Sequence, residues 1–232
     1  MIHDRRVVGL VPIKAHSARV VGKNFRPFCG KPLYQHVLQM LCGVPAIDMV
    51  IVDTDSEVIK REVPGLSSKI RVISRPKHLR GDDVSTNRIF AHDIAEAGLD
   101  VGDILVQTHV TNPLLRAETV TNAIKGYVEK EGDDCDSTFS VTVRQSRYYR
   151  CDGTPVNHDP DELIPTQELD PLMEENSCLY LFTPDSFKRT GRRIGERPHM
   201  FETGIMESFD IDNEIDFRLA EIVGMWANMT PA

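Results

Sequence analysis

Two periods of apolar residues alternate along this chain. Val7–Ile13 (VVGLVPI) is a continuous apolar run of the kind that fills a strand buried on both faces. Across residues 32–42 the apolar positions Leu33, Val37, Leu38 and Leu41 fall at helical spacing. Residues 49–52 (MVIV) read as a second strand, closing on Asp53-Thr54-Asp55-Ser56. Ser56 is placed to cap a short helix, Glu57–Glu62, which Pro64 and Gly65 cut off. Further strands are expected at 71–73, 103–107, 137–143 and 176–182. Further helices are expected from Ser85 or Thr86 to Ala97, ended by Gly98, at Ala117–Lys130, and at 216–225.

Strand followed by helix, four times over, predicts an α/β fold: a mostly parallel sheet between two helical layers, α/β/α. In such sheets ligands collect beyond the carboxyl ends of the strands. The basic stretch after Ile13, the Asp53–Ser56 turn and the segment from His109 to Asn112 all fall at such ends. The alternation breaks at 144–171, where Arg147, Tyr148, Tyr149 and Arg150 precede Gly153, Pro155, Pro160 and Pro165. Long excursions from compact domains are usually functional. This one is expected to be an arm that packs on a second copy of the chain, making a homodimer. Residues 1–232 are otherwise expected to form one domain, with 144–171 inserted in it.

Charge sharpens the picture. From Arg5 to Ile47 there are seven Lys or Arg and no Asp or Glu, in a chain of 232 residues with formal net charge -8. Within that stretch Lys14, Arg19, Lys23, Arg26 and Lys31 crowd around Ala15, Ser17, Ala18 and Gly22. Small side chains let backbone N–H groups approach an anion while Lys and Arg neutralise it, so the loop is suited to a polyphosphate. It is neither GxxxxGK[ST] nor GxGxxG. The acidic balance argues against nucleic acid or an anionic membrane as partner. No apolar run is long enough to span a bilayer. No secretory leader is recognisable in MIHDRRVVGL, and the five scattered cysteines show no CxxC spacing, so a cytoplasmic location with reduced thiols is expected. The other charge extreme lies near the C-terminus, where Glu202, Glu207, Asp210, Asp212, Glu214, Asp216 and Glu221 cluster. Asp210 and Asp212 are two apart, so an extended backbone would turn both carboxylates to one side, an arrangement suited to Mg²⁺.

Six ordered motifs carry a family resemblance. The stretch VPIKAHSARVVGKNFRPFCGKPL resembles the N-terminal signature of the cytidylyltransferases that activate acidic sugars. These are the CMP-sialic acid (acylneuraminate) synthetases and their relatives for other nonulosonic acids, with CMP-Kdo synthetase more distant. Thr54-Asp55-Ser56-Glu57 matches their TDSE, and Arg75-Pro76 through Ser85-Thr86 resembles RPxxLxGDxxST. Thr111-Asn112-Pro113-Leu114 stands for TSPL, Glu175-Asn176 through Tyr180 for ENGxxY, and Asp210 through Phe217 for DIDxxxDF.

The resemblance implies a Rossmann-like nucleotide-diphospho-sugar transferase fold. It also implies a reaction in which CTP and a 2-keto-3-deoxy sugar acid give a CMP-sugar and pyrophosphate. By resemblance Lys23 and Arg19 hold the triphosphate, backed by Lys14 and Ser17. Asn24, Arg75 and Thr86 contact the cytidine portion, and Asp210 and Asp212 hold Mg²⁺. His109, Thr111, Asn112 and Asn176 are expected at the sugar. Lys14 replaces the family's usual Arg, and Ala18 replaces a common Lys that Arg19 could substitute. His109 replaces a Gln, and Gln167 follows Pro165-Thr166 where an Arg is usual. Asp53 and Asp55 leave open a glycosyltransferase of similar architecture. Ala18 leaves open a nucleotide-binding relative without catalysis.

Overall fold

The computed structural model describes residues 2, 4–17, 20–132 and 134–229. Nine strands and six α-helices are formed by the described residues. In chain order they are β1 (Val7–Ile13), β2 (Pro27–Phe28), β3 (Lys31–Pro32), α1 (Leu33–Gly43), β4 (Met49–Thr54), α2 (Glu57–Glu62), β5 (Ile70–Ser74) and α3 (Thr86–Ala97). There follow β6 (Ile104–Gln107), α4 (Ala117–Lys130), β7 (Ser137–Arg144), β8 (Leu172–Phe182), α5 (Pro184–Thr190), β9 (Pro198–Glu202) and α6 (Glu214–Met229). Seven strands make one sheet in the order β5-β4-β1-β6-β8-β7-β9. Only β8 runs against the others, being antiparallel to both β6 and β7.

Alternation along β1 builds the three layers. Val7, Val11 and Ile13 enter the core under α1, α2, α4 and α6, while Val8 and Leu10 enter the core under α3 and α5. Pro12 is tolerated in this central strand because β6 pairs only with residues 7–10, so the missing N–H leaves no gap in that ladder. The mixed α/β architecture is thus the expected one, with α5, β9 and the small β2–β3 hairpin added.

The excursion between β7 and β8 is ordered by its own polar contacts. Residues 141–144 pair with 172–175, extending the two strands beyond the reach of β6. Beyond them, the Asn157 amide donates to the carbonyls of Ser146 and Asp170, and its oxygen accepts from the Tyr148 N–H. Tyr149, Val156 and Leu163 face outward, Leu163 being 87% exposed.

The hairpin β2–β3 joins the basic end of the chain to the acidic one. Arg26 grips Glu214 through two hydrogen bonds, at 2.6 and 3.0 Å, and its guanidinium lies 4.0 Å from the centroid of the Phe217 ring. Phe28 meets the same ring edge-on at 5.8 Å. Asp216, within DIDxxxDF, accepts from the N–H groups of Asp212 and Asn213, while the Asn213 side chain accepts from Ile215 and Asp216. This reciprocal cap starts α6 and fixes the backbone that carries Asp212.

Candidate active site

A cleft of about 530 Å³ opens at the carboxyl ends of the parallel strands. Its wall is built from the segments that follow β1, β5 and β6, closed by the start of α3 and by Asp212. Thr54, Asp55 and Ser56 fasten the first of these. Thr54 Oγ1 donates to the Ile13 carbonyl at 2.7 Å, and Asp55 accepts from the Ala15 N–H at 2.8 Å. Ser56 caps α2 by accepting from the Ile59 N–H, as its position in the sequence predicts. Asn24 completes the loop by donating to the Lys14 carbonyl at 2.9 Å.

Lys14, Ser17, Lys23, Asn24, Arg75, Thr86, His109, Thr111 and Asp212 all line this cleft. Arg19 lies outside the described residues, as does Ala18. Lys14 stands at the mouth, paired with the exposed Asp82 at 2.9 Å. Lys23 is buried and donates its ammonium to the carbonyl of Ile211, the residue between Asp210 and Asp212. Thr86 opens α3, and no side chain caps that helix start.

The segment 210–212 is irregular backbone, not a strand, and Ile211 donates its N–H to the Thr111 carbonyl at 3.0 Å. The expectation of two carboxylates side by side on a strand is therefore replaced by an unequal pair. Asp212 is exposed to the cleft and Asp210 half-buried. Burial raises the pKa of Asp210, and the neighbouring Asp212 adds to the rise; Thr111 and Lys23 oppose it. Asp210 Oδ1 is sealed from solvent and has no hydrogen-bond partner. No cluster of three His, Cys, Asp or Glu occurs among the described residues. Mg²⁺ needs no such cluster, because it retains waters and takes one or two carboxylates plus phosphate oxygens. An unpartnered buried carboxylate oxygen beside a second, accessible carboxylate fits that ion.

Arg75 is almost fully buried and hydrogen-bonds through Nε to Asp53, itself wholly buried. Asp53 and Asp55 are both committed, one to Arg75 and one to the phosphate-type loop, so this Asp-x-Asp pair is part of the scaffold. Asp210, Asn112 and Asn176 are not among the residues lining the cleft; Asp210 sits behind Asp212. Asn112 is buried, donating to Cys178 Sγ and the Phe209 carbonyl. Asn176 accepts from Ser140 Oγ and the Cys178 N–H and donates to Thr142 and Thr203 hydroxyls, clipping β7, β8 and the end of β9 together. Sequence reasoning missed Arg193, which the turn after α5 brings to His109. The run Arg189, Arg192, Arg193 in an otherwise acidic half was the available signal.

The fold resembles that of a CMP:2-keto-3-deoxy-manno-octonic acid synthetase solved with CTP. The TM-score is 0.69 at 14% identity, covering 97% of this chain and 100% of that one. A 4-diphosphocytidyl-2C-methyl-D-erythritol synthase gives a TM-score of 0.63 at 12% identity, covering 94% and 99%. In sequence, the chain is 24% identical over 232 residues to the CMP-N,N'-diacetyllegionaminic acid synthase of Legionella pneumophila, covering 93% of this chain and 95% of the relative. It is 27% identical over 136 residues to the 8-amino-3,8-dideoxy-manno-octulosonate cytidylyltransferase of Shewanella woodyi, covering 59% of this chain and 53% of the relative. The cytidylyltransferase family model matches residues 8–227, and the chain belongs to that family of CTP-dependent nucleotidyltransferases.

Proposed function

We propose that this enzyme transfers CMP from CTP to the anomeric hydroxyl of a nonulosonic or related 2-keto-3-deoxy sugar acid, releasing pyrophosphate. The observation that carries the reading is the bond from Lys23 to Ile211, which joins the basic loop to the segment of Asp210 and Asp212, with Lys23 and Asp212 both lining one cleft. The two relatives named for a legionaminic acid and an octulosonate support the acceptor class.

The anomeric oxygen attacks the α-phosphorus in line, the bond to the β-phosphate oxygen breaks, and pyrophosphate departs with that electron pair. Such a step depends on positioning and on neutralising the leaving group. Lys14 and Lys23 supply positive charge and Ser17 a hydroxyl, while Asn24 and Asp55 hold the loop shut behind them. The Lys14 ammonium exchanges Asp82 for phosphate when nucleotide enters. Asp210, whose burial favours the protonated form, takes the hydroxyl proton. Asp210 and Asp212 would hold Mg²⁺, which when bound neutralises and orients phosphate oxygens. Leu163, Tyr149 and Val156 on the β7–β8 arm are the exposed apolar groups on which a homodimer would close. Light scattering of the native chain and of Leu163→Asp tests that assembly.

Pyrophosphate release from CTP and Mg²⁺ with a panel of sialic, legionaminic, pseudaminic and Kdo-type acids tests the reaction. At least one acid is expected to give stoichiometric CMP-sugar. Silence across the panel from folded protein that binds CTP would overturn the acceptor class.

A further inference from the structure

Gln107 and Arg193 meet His109 on the side of the ring that carries Nε2. Arg193 lies with its guanidinium 3.5 Å from the centroid of the Tyr180 ring, and Glu175 is 3.9 Å from its Nη2. Its Nη1 donates to Gln107 Oε1 at 2.8 Å and to His109 Nε2 at 3.1 Å. The Gln107 amide nitrogen is 3.1 Å from the same His109 nitrogen. Gln107 is fully buried and His109 lines the cleft.

These contacts allow one arrangement of hydrogens. A guanidinium has donors only, so the atom of Gln107 that it meets is the amide oxygen. The amide nitrogen of Gln107 is thereby turned toward His109. Both neighbours of Nε2 are then donors, and a ring nitrogen between two donors offers its lone pair. The remaining proton belongs on Nδ1. Nδ1 makes no hydrogen bond to any described residue, and it is not among the buried atoms that lack a partner.

We infer that Arg193 is a positioning residue which, through Gln107 and directly, fixes His109 as the neutral Nδ1–H tautomer. His109 then presents the cleft with a hydrogen-bond donor for an anionic or hydroxyl oxygen of the acceptor substrate. The substrate half of this inference rests on the sugar-acid reading above; the tautomer half does not. A general base needs its lone pair toward the substrate, and here the lone pair is turned away and spent on Arg193 and Gln107. Burial above all disfavours a charged ring, and the charged groups acting on it, Arg193 and Lys23, are both positive. Together they hold the imidazolium pKa down at about 3. A carboxylate oxygen is the natural complement to a neutral donor flanked by two cations.

Long-range ¹H–¹⁵N spectra of the ligand-free protein, with His109 assigned by His109→Gln, test this. The wild type is expected to show a protonated Nδ1, a lone-pair Nε2 and no titration of this ring between pH 5 and 8. Arg193→Met frees the Gln107 amide to turn over and is expected to mix the tautomers. Arg193→Lys, still a donor-only cation, is expected to keep the wild-type spectrum. Gln107→Glu places an acceptor against Nε2 and is expected to move a proton onto it. With a turned-over acid, Arg193→Met is expected to raise the acceptor KM about tenfold and leave the CTP KM unchanged, with recovery in Arg193→Lys. A wild-type proton on Nε2, or a wild-type spectrum in folded Arg193→Met or Gln107→Glu, overturns the inference. If no acid is turned over, the sugar-acid reading fails while the spectra still decide the tautomer.

Discussion

Lys23 reaches across the cleft to the carbonyl of Ile211, 188 residues further along the chain. That one bond fixes a buried ammonium against the segment that carries Asp210 and Asp212. It makes the two groups separable by mutation. Asp212 is exposed and contributes its backbone, not its carboxylate, to the cap of α6. Asp212→Asn is therefore expected to fold normally and to lose at least about 100-fold in kcat, the usual cost of removing one preorganised electrostatic partner. Lys23→Met is expected to lose a similar factor and also to raise the CTP KM, because it removes positive charge from the phosphate side. Steady-state kinetics beside thermal melts distinguish the two. Near-normal turnover by Asp212→Asn would remove this residue from the site.

Beneath the cleft wall, Asp93 faces the Asp53 carboxylate that Arg75 holds. Asp53 Oδ2 and both oxygens of Asp93 are sealed without a conventional donor. One proton between the two carboxyls satisfies both. Burial first, and then the charge on Asp53, push the Asp93 pKa up to about 8. In the unfolded chain the ordinary value is 3.8. Between those values the folded state holds a proton that the unfolded state releases. Stability is thus fully present at low pH and declines as pH rises through about 8, with a slope of at most about 1.4 kcal/mol per pH unit. Asp93→Asn keeps a donor toward Asp53 and removes the titration. Urea midpoints between pH 5 and 8 are expected to fall for the wild type and stay level for Asp93→Asn. Equal slopes would sink the shared proton.

The elements that could be read from sequence are those whose periodicity is complete within themselves. α4 falls at Ala117–Lys130 as expected because Val120, Ile124 and Tyr127 form a buried stripe without help from elsewhere. β9 escaped notice because PHMFE is an edge strand with alternating exposed positions, and nothing in its five residues outweighs a loop. The site divides along the same line. Lys23 in its basic loop and Asp212 in its acidic segment announce themselves by charge. The destination of a polar side chain's hydrogen bonds does not appear in its neighbours. Asn176 therefore reads as a sugar contact, while its side chain is hydrogen-bonded to Ser140, Thr142 and Thr203, 27 to 36 residues away. Arg193 is the converse case: the sequence shows a basic run, but only the turn after α5 shows that it reaches His109.

Ser177 carries a backbone conformation suited to glycine. Its φ is +58°, in the stretch where the pairing of β7 with β8 shifts register. The ENGxxY pattern places Gly at this position. Left-handed backbone costs a side chain of this kind roughly 1 kcal/mol. Tyr180 contacts Ser177 Oγ at 3.2 Å but also hydrogen-bonds to Glu175, so loss of the hydroxyl does not strand it. Ser177→Gly is expected to stabilise by about 0.5–1 kcal/mol, and the β-branched Ser177→Val to destabilise by more than that. Thermal and urea melts measure both. A stabilised valine variant would show that the turn has rearranged.

Gly224 in α6 tests whether the clasp between the hairpin and the helix supports the site. Alanine is intrinsically the better helix former by about 1 kcal/mol. A Cβ here, however, would lie 2.9 Å from Cys29 Sγ and 3.2 Å from Leu114 Cδ2. Cys29 itself has φ +44°, so the hairpin has little freedom to yield. Overpacking of this kind costs about 1–3 kcal/mol, and Gly224→Ala is expected to be destabilised on balance. Cys29→Gly removes the sulfur and suits the positive φ, so the double variant is expected to recover most of the loss, a coupling that independent sites would not show. Because Arg26 in the same hairpin grips Glu214, two residues beyond Asp212, the single variant is also expected to lose kcat and the double variant to regain it. Recovered stability without recovered turnover would mean that the clasp holds the helix but does not set the position of Asp212.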